Sequence, residues 1–161
     1  QLSASGAVET GVEHKALSVD HLEVMNEAAL KSLSYSPTIA TLLPSCSLFL
    51  GIPFAGARTM LEHDIALAIA SDFNPGSTPS GNMNLVVSLA CMRLKMLPEE
   101  AINAATLNGA AAMELSHSHG SITKGKAANF MITKEIPSLA YLPYSFGSNN
   151  IQSVFINGEL F

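Results

Sequence analysis

The chain has 161 residues, of which 48% are hydrophobic and only 13% charged, and its formal net charge is −5. The eight Lys and Arg residues are scattered, which excludes a nucleic-acid footprint, and no apolar run reaches the roughly 18 residues that cross a bilayer. Soluble domains carry about 25% charged residues, so this composition predicts a surface covered in large part by another chain, another domain or a further segment.

Helix and strand signals alternate through the first two thirds. Residues 1–11, polar and small, fit the end of a helix and show no signal-peptide pattern. Residues 16–22 (ALSVDHL) read as a short strand ending at His21. Residues 23–34 place Met25, Ala28, Ala29 and Leu33 close to helical spacing. Residues 38–43 form a second strand, stopped by Pro44, and 54–63 a short helix through Ala57, Met60 and Leu61. Residues 65–71 are near-continuously apolar and end abruptly at Asp72 and an Asn-Pro-Gly-Ser turn, the pattern of a buried parallel strand. Residues 84–95 are an apolar helix. Pro98 opens another that runs to residue 114: Pro suits the first helical position, and Glu99 and Glu100 suit the first turn. Leu97 before it offers no side-chain cap.

After His119 the texture changes. Glycines 120, 125, 147 and 158 punctuate short strands at 129–133 and 151–156, with Asn157 and Gly158 as a turn signal. The expected fold class is α/β, with parallel strand–helix units over 1–117 and short strands over 118–161. Three such units cannot close a barrel, which takes eight, and an open three-stranded piece exposes its edges and inner face. Cys46 and Cys91 have no CxxC or zinc-finger spacing and read as buried thiols of a reducing, cytoplasmic protein. The opening Gln1 in place of Met fits a fragment, a processed product or an incompletely recorded chain.

His21 and Asp72 are the leading chemical pair, each ending a predicted parallel strand on the same side of the array, where α/β barrels keep their chemistry. His is a common metal ligand and proton shuttle, and Asp is a hard oxygen ligand. Asp72 equally fits an acceptor that opens the following turn, and His21 a histidine packed at a strand end. Two candidates fall short of the three or four protein ligands that zinc takes. Residues 74–78 (Asn-Pro-Gly-Ser-Thr) offer an amide, two hydroxyls and exposed backbone, which suits a polar substrate or an ordinary turn. His117 and His119, between an Ala-rich helix and a Gly turn, read as an exposed linker, and His14 and His63 have no partner by spacing. The Met residues read as core. No nucleophile elbow, phosphate loop or aromatic nucleic-acid surface is present.

The segments DHLEVMNEAALKSL, TLLP and ARTMLEHDIALAIASDFNPGS, followed by LACMRLKMLPEEAINAATLNGAAAM, HGSITKGKAANFMI and YLPYSFGSNNIQSVFINGEL, resemble the carboxyl-terminal part of the imidazolonepropionase family. That family lies within the metal-dependent amidohydrolases. The likeness covers nearly the whole chain from about Val19, and SDFNPGS and PYSFG are its specific segments. It implies the last three units of a (β/α)₈ barrel, strands six to eight, plus the carboxyl-terminal strands of a small β-domain. It implies hydrolysis of 4-imidazolone-5-propanoate to N-formimidoyl-L-glutamate in histidine degradation, with one divalent metal, zinc or iron. Asp72 matches the metal-ligand Asp, His21 a histidine that polarises or orients the reacting group, and Asn74, Gly76 and Ser77 the substrate-contacting loop.

The chain departs from the family mainly by what it lacks. The paired histidines of strand one, the histidine of strand five, the acid beyond it and the substrate-gripping residues of the first half have no counterparts here. Asn129, where relatives often carry Asp, is a lesser, structural departure. The expected partners are therefore a small-molecule substrate and the amino-terminal half of the barrel, with a homodimer left open, and with neither nucleic acid nor membrane. The 161 residues alone are expected to be inactive. Two rival readings stand beside this: another cyclic amidohydrolase or deaminase, and a non-catalytic half-barrel stable only with a partner.

Overall fold

The computed structural model describes residues 3–161. Gln1 and Leu2, the start of the stretch read as a helix end, lie outside the described residues. Helix α1 (Ala7–Glu13) leads into β1 (Ser18–Asp20), α2 (Glu27–Ser34) and β2 (Ile39–Leu42). Two short helices, α3 (Pro44–Leu50) and α4 (Ala57–Glu62), precede β3 (Leu67–Ile69). Then come α5 (Met83–Met92), α6 (Pro98–Ala105) and α7 (Leu107–Ala112). The last part holds β4 (Phe130–Thr133), α8 (Tyr141–Tyr144), β5 (Ile151–Ile156) and β6 (Glu159–Leu160). None of the helices among the described residues is long and apolar enough to cross a membrane.

Strands β1, β2 and β3 form one parallel sheet in chain order, and β4, β5 and β6 a separate antiparallel one, so the fold is α/β. Register in the parallel sheet aligns Val19 with Ala40 and Leu42 with Ile69. Strand side chains alternate between faces. Ala40, Leu42, Leu67 and Ile69 accordingly join the core with Leu33 of α2, Met60 of α4, Val86 of α5 and Ala101 of α6. The row Asp20, Thr41, Ala68 lies on the other face. Thr41 is buried there, and its Oγ1 has no hydrogen-bond partner among the described residues. Leu48, Phe49 and Leu50 of α3 and Phe73 are exposed, in line with the apolar excess of the sequence.

Most expected elements are present with shifted ends, α8 was not expected, and the three largest departures have clear causes. The helix expected over 23–34 starts only at Glu27, because the Asn26 side chain accepts the Ala29 N–H at 2.8 Å and caps the helix there. Pro44 ends β2 but also begins α3 as its first residue, since its fixed φ suits that position. The single helix expected over 98–114 is broken at Thr106 (φ −122°, ψ −80°), whose hydroxyl bonds back to Ile102 O at 2.7 Å. In the second sheet, Asn157 and Gly158, both at positive φ, make the tight turn from β5 to β6. Phe130 and Phe155, register partners, stack with ring centroids 4.7 Å apart.

A charged pair ties α4 to the start of α6. Arg58 Nη2 and Nη1 donate to the two Glu100 oxygens at 2.6 and 3.1 Å, and Nη2 also donates to Lys95 O at 2.7 Å. Glu100 accepts the Leu97 N–H at 2.7 Å, supplying the cap that the Leu97 side chain cannot. The Arg58 hydrogen bonds hold the Glu100 carboxyl below its usual value of 4.5. A carboxyl whose native pKa lies below its unfolded one stabilises the fold above the unfolded value, and that contribution is lost as pH falls through the native value. The melting-temperature gap between the native chain and Glu100→Gln is therefore full near neutral pH and closes in acid below about 4.5. A gap that stays constant across a thermal-unfolding series in acid contradicts this.

Candidate active site

Both outer strands leave the sheet through left-handed residues. His21 (φ 79°) and Leu22 (φ 68°) follow β1, and Asp72 (φ 53°) follows close on β3. Such backbone costs about 1–3 kcal/mol per residue and persists only where its surroundings hold it. Here the parallel ladder runs past the strand ends: His21 N–H donates to Thr41 O at 3.0 Å, and Ala70 N–H to Leu42 O at 3.2 Å. Leu22 is fully buried in the core and anchors the turn. Both side chains therefore emerge at the carboxyl end of the parallel sheet.

On the first side, His21 Nδ1 lies 3.2 Å from Glu23 Oε1. The Glu23 side chain is only 2% exposed, against 35% for His21. Ser47 Oγ donates to the same Glu23 oxygen at 3.4 Å. On the second side, Asp72 Oδ2 accepts from Ser77 Oγ at 3.2 Å and Thr78 Oγ1 at 3.5 Å. The loop itself is held by Asn74. Its Oδ1 accepts the Gly76 and Ser77 N–H groups at 2.9 and 2.8 Å, and its Nδ2 donates to Asp72 O at 2.6 Å and Ser77 Oγ at 2.8 Å. Asn74 and Thr78 close the loop with a small antiparallel bridge. The turn acceptor is thus Asn74. The Asp72 carboxylate meets hydroxyls instead, which leaves its charge oriented but not spent on backbone N–H groups.

Helix α3 brings its first turn between these two sides. Ser45 Oγ donates to Ser71 O at 3.2 Å, just before Asp72, while Ser47 reaches Glu23. Between them Cys46 is 2% exposed. Burial pushes its thiol up; hydrogen bonding with Ser77 works the other way, and the Asp72 carboxylate beside it adds to the rise. The thiol stays protonated and is no nucleophile. Asp72, Asn74 and Ser77 therefore share one network that Gly76 joins through its backbone, and His21 belongs to a second with Glu23. Glu23, Ser45 and Ser47 were not anticipated, and Cys46 was expected only as a buried thiol. The one signal for Ser45, Cys46 and Ser47 is three small residues directly after a proline that can start a helix. His117 is exposed, and His119 Nδ1 lies 2.8 Å from Ser118 Oγ within the linker.

A metal ion needs more than this chain offers. Among the described residues no group of three or more His, Cys, Asp or Glu side chains converges. A zinc site takes at least three protein ligands, so these residues do not by themselves fit one.

Residues 3–161 match the sequence profile of the Amidohydrolase family. The chain is 66% identical over 160 residues to the imidazolonepropionase of Christiangramia forsetii and 57% identical to that of Flavobacterium johnsoniae. Each match covers 99% of this chain and 39% of the relative, so the chain spans about two fifths of the length of the curated relatives it matches. Among solved structures, the zinc-bound adenosine deaminase of Xanthomonas campestris superposes with a TM-score of 0.79 at 23% identity, over 89% of this chain and 36% of that one. That likeness shows a shared fold.

Asn74→Ala removes the acceptor and donor that close the loop and lowers stability by about 1–3 kcal/mol in denaturant unfolding. Asn74→Asp keeps the acceptor for the two N–H groups and loses less. Equal stability of Asn74→Ala and the native chain contradicts the loop assignment.

Proposed function

The chain belongs to the amidohydrolase family, and from that premise we propose that it supplies the carboxyl-terminal part of an imidazolonepropionase. The reaction is addition of water to the cyclic amide of 4-imidazolone-5-propanoate, which opens the ring to N-formimidoyl-L-glutamate. The observation that carries this reading is the 66% identity to an imidazolonepropionase along 99% of the chain. Residues 1–117 are then the last three units of a (β/α)₈ barrel, and 118–161 part of a small β-domain. The unpartnered Thr41 Oγ1 supports that placement: it lies on the sheet face away from the helices, which is the inner face of a closed barrel.

Within the longer protein Asp72 would help hold a divalent ion, zinc or iron, together with ligands from outside these residues. Such an ion, when bound, acidifies water. The chain's own residues do the rest of what falls to it. Asp72, oriented by Ser77 and Thr78, accepts and relays a proton. His21 stands at the neighbouring strand end to stabilise the oxyanion that develops on the amide oxygen. Asn74, Gly76 and Ser77 shape the loop against the substrate, with Gly76 allowing close backbone approach.

The test joins this chain in one polypeptide to the amino-terminal remainder of the Christiangramia forsetii relative. That protein hydrolyses imidazolonepropionate and leaves guanine and cytosine untouched, and Asp72→Asn lowers kcat about 10³-fold or more. The 161 residues alone turn over nothing. Deamination of a base, or full activity of Asp72→Asn, overturns the reading.

A further inference from the structure

The Glu23 side chain, only 2% exposed, has no part in the reading above. It sits two residues after His21, beyond the left-handed turn of His21 and Leu22. Burial of Leu22 in the core fixes where that turn lies. The turn brings Glu23 Oε1 within 3.2 Å of His21 Nδ1. Ser47 of α3 donates to the same oxygen and braces it from the other side. Burial of Glu23 works against its charge, yet the hydrogen bonds it accepts, that from His21 being one of the smaller contributions, hold its carboxyl below the usual value. It is therefore ionised near neutral pH. An ionised carboxylate can only accept hydrogen bonds, and so can a bare imidazole nitrogen. The 3.2 Å contact then requires the proton to sit on Nδ1.

We infer that Glu23 is a positioning residue that holds His21 as its Nδ1–H tautomer and leaves Nε2 as the unprotonated nitrogen. A free neutral imidazole has no such partner to choose its tautomer. The neutral ring can then only accept at Nε2. It donates to an oxyanion only once it carries a second proton, and Glu23 offsets the charge of that imidazolium, as a buried carboxylate does behind other working histidines. The consequence for hydrolysis rests on the proposed function; the tautomer does not.

The experiment is a long-range ¹H–¹⁵N spectrum of protein labelled at its five histidines, recorded at a pH where imidazoles are neutral. The His21 signals are assigned by their loss in His21→Gln. The native protein shows His21 as Nδ1–H. In Glu23→Leu the ratio of Nδ1–H to Nε2–H falls about tenfold or more, the effect of losing a charged acceptor. Glu23→Gln, which keeps an amide oxygen in the same place, retains Nδ1–H and serves as the variant that preserves packing. An Nε2–H tautomer in the native protein overturns the inference, as does an unchanged ratio in Glu23→Leu. The signals report the ring alone. An Nδ1–H tautomer, with no hydrolysis of imidazolonepropionate by the chain joined to its relative's amino-terminal remainder, leaves the inference standing and the functional reading fallen; an active joined protein with Nε2–H does the reverse.

Discussion

Parallel pairing of three short strands is the constraint on which the rest depends. Because β1, β2 and β3 run the same way and pair in sequence order, every strand releases its chain at the same edge of the sheet. The ladder bonds from His21 N–H to Thr41 O and from Ala70 N–H to Leu42 O carry the pairing one step past the strands. That step sets the starting points of the two turns that follow. The left-handed backbone at His21, Leu22 and Asp72 is tolerated because the ladder on one side and the buried core on the other leave no relaxed alternative. A slip of one residue in register would send Leu42 and Ile69 out of the core and turn Thr41 into it.

The two sides of the site are not joined directly; α3 links them. Ser45 holds the backbone just before Asp72, Ser47 holds Glu23 behind His21, and Cys46 fills the buried space between. None of these contacts is strong alone, since a net hydrogen bond contributes about 1 kcal/mol. Their value lies in geometry. One rigid helical turn sets the spacing between a histidine with its carboxylate and a second carboxylate oriented by hydroxyls. The same helix leaves Leu48, Phe49 and Leu50 exposed, so its inner side is spent on the site while its outer side stays apolar.

Local signals made much of this legible in the sequence. The apolar run of 65–71 ended by turn residues marked β3, and Asn157 with Gly158 marked the β5–β6 turn. The strand-end positions of His21 and Asp72 followed from the same pattern. Signals that serve two purposes were not legible. Pro44 stops a strand and starts a helix with equal ease, so α3 was hidden. Helical periodicity assigned Glu23 to a helix whose true start is set by Asn26. Thr106 breaks an Ala-rich helix through a side-chain bond that no periodicity records. The contacts of Ser45, Cys46 and Ser47 span residues distant in sequence and arise only from the sheet's order.

The proposed function makes the carboxyl edge of the parallel sheet the chemical end of the molecule, with Asp72 as its anchor. Elemental analysis of the chain joined to a relative's amino-terminal remainder tests this most directly. The account predicts about one divalent ion per polypeptide in the native protein, and its loss in Asp72→Ala with the fold intact by circular dichroism. A native protein that holds no ion, or an Asp72→Ala protein that retains a full equivalent, contradicts it.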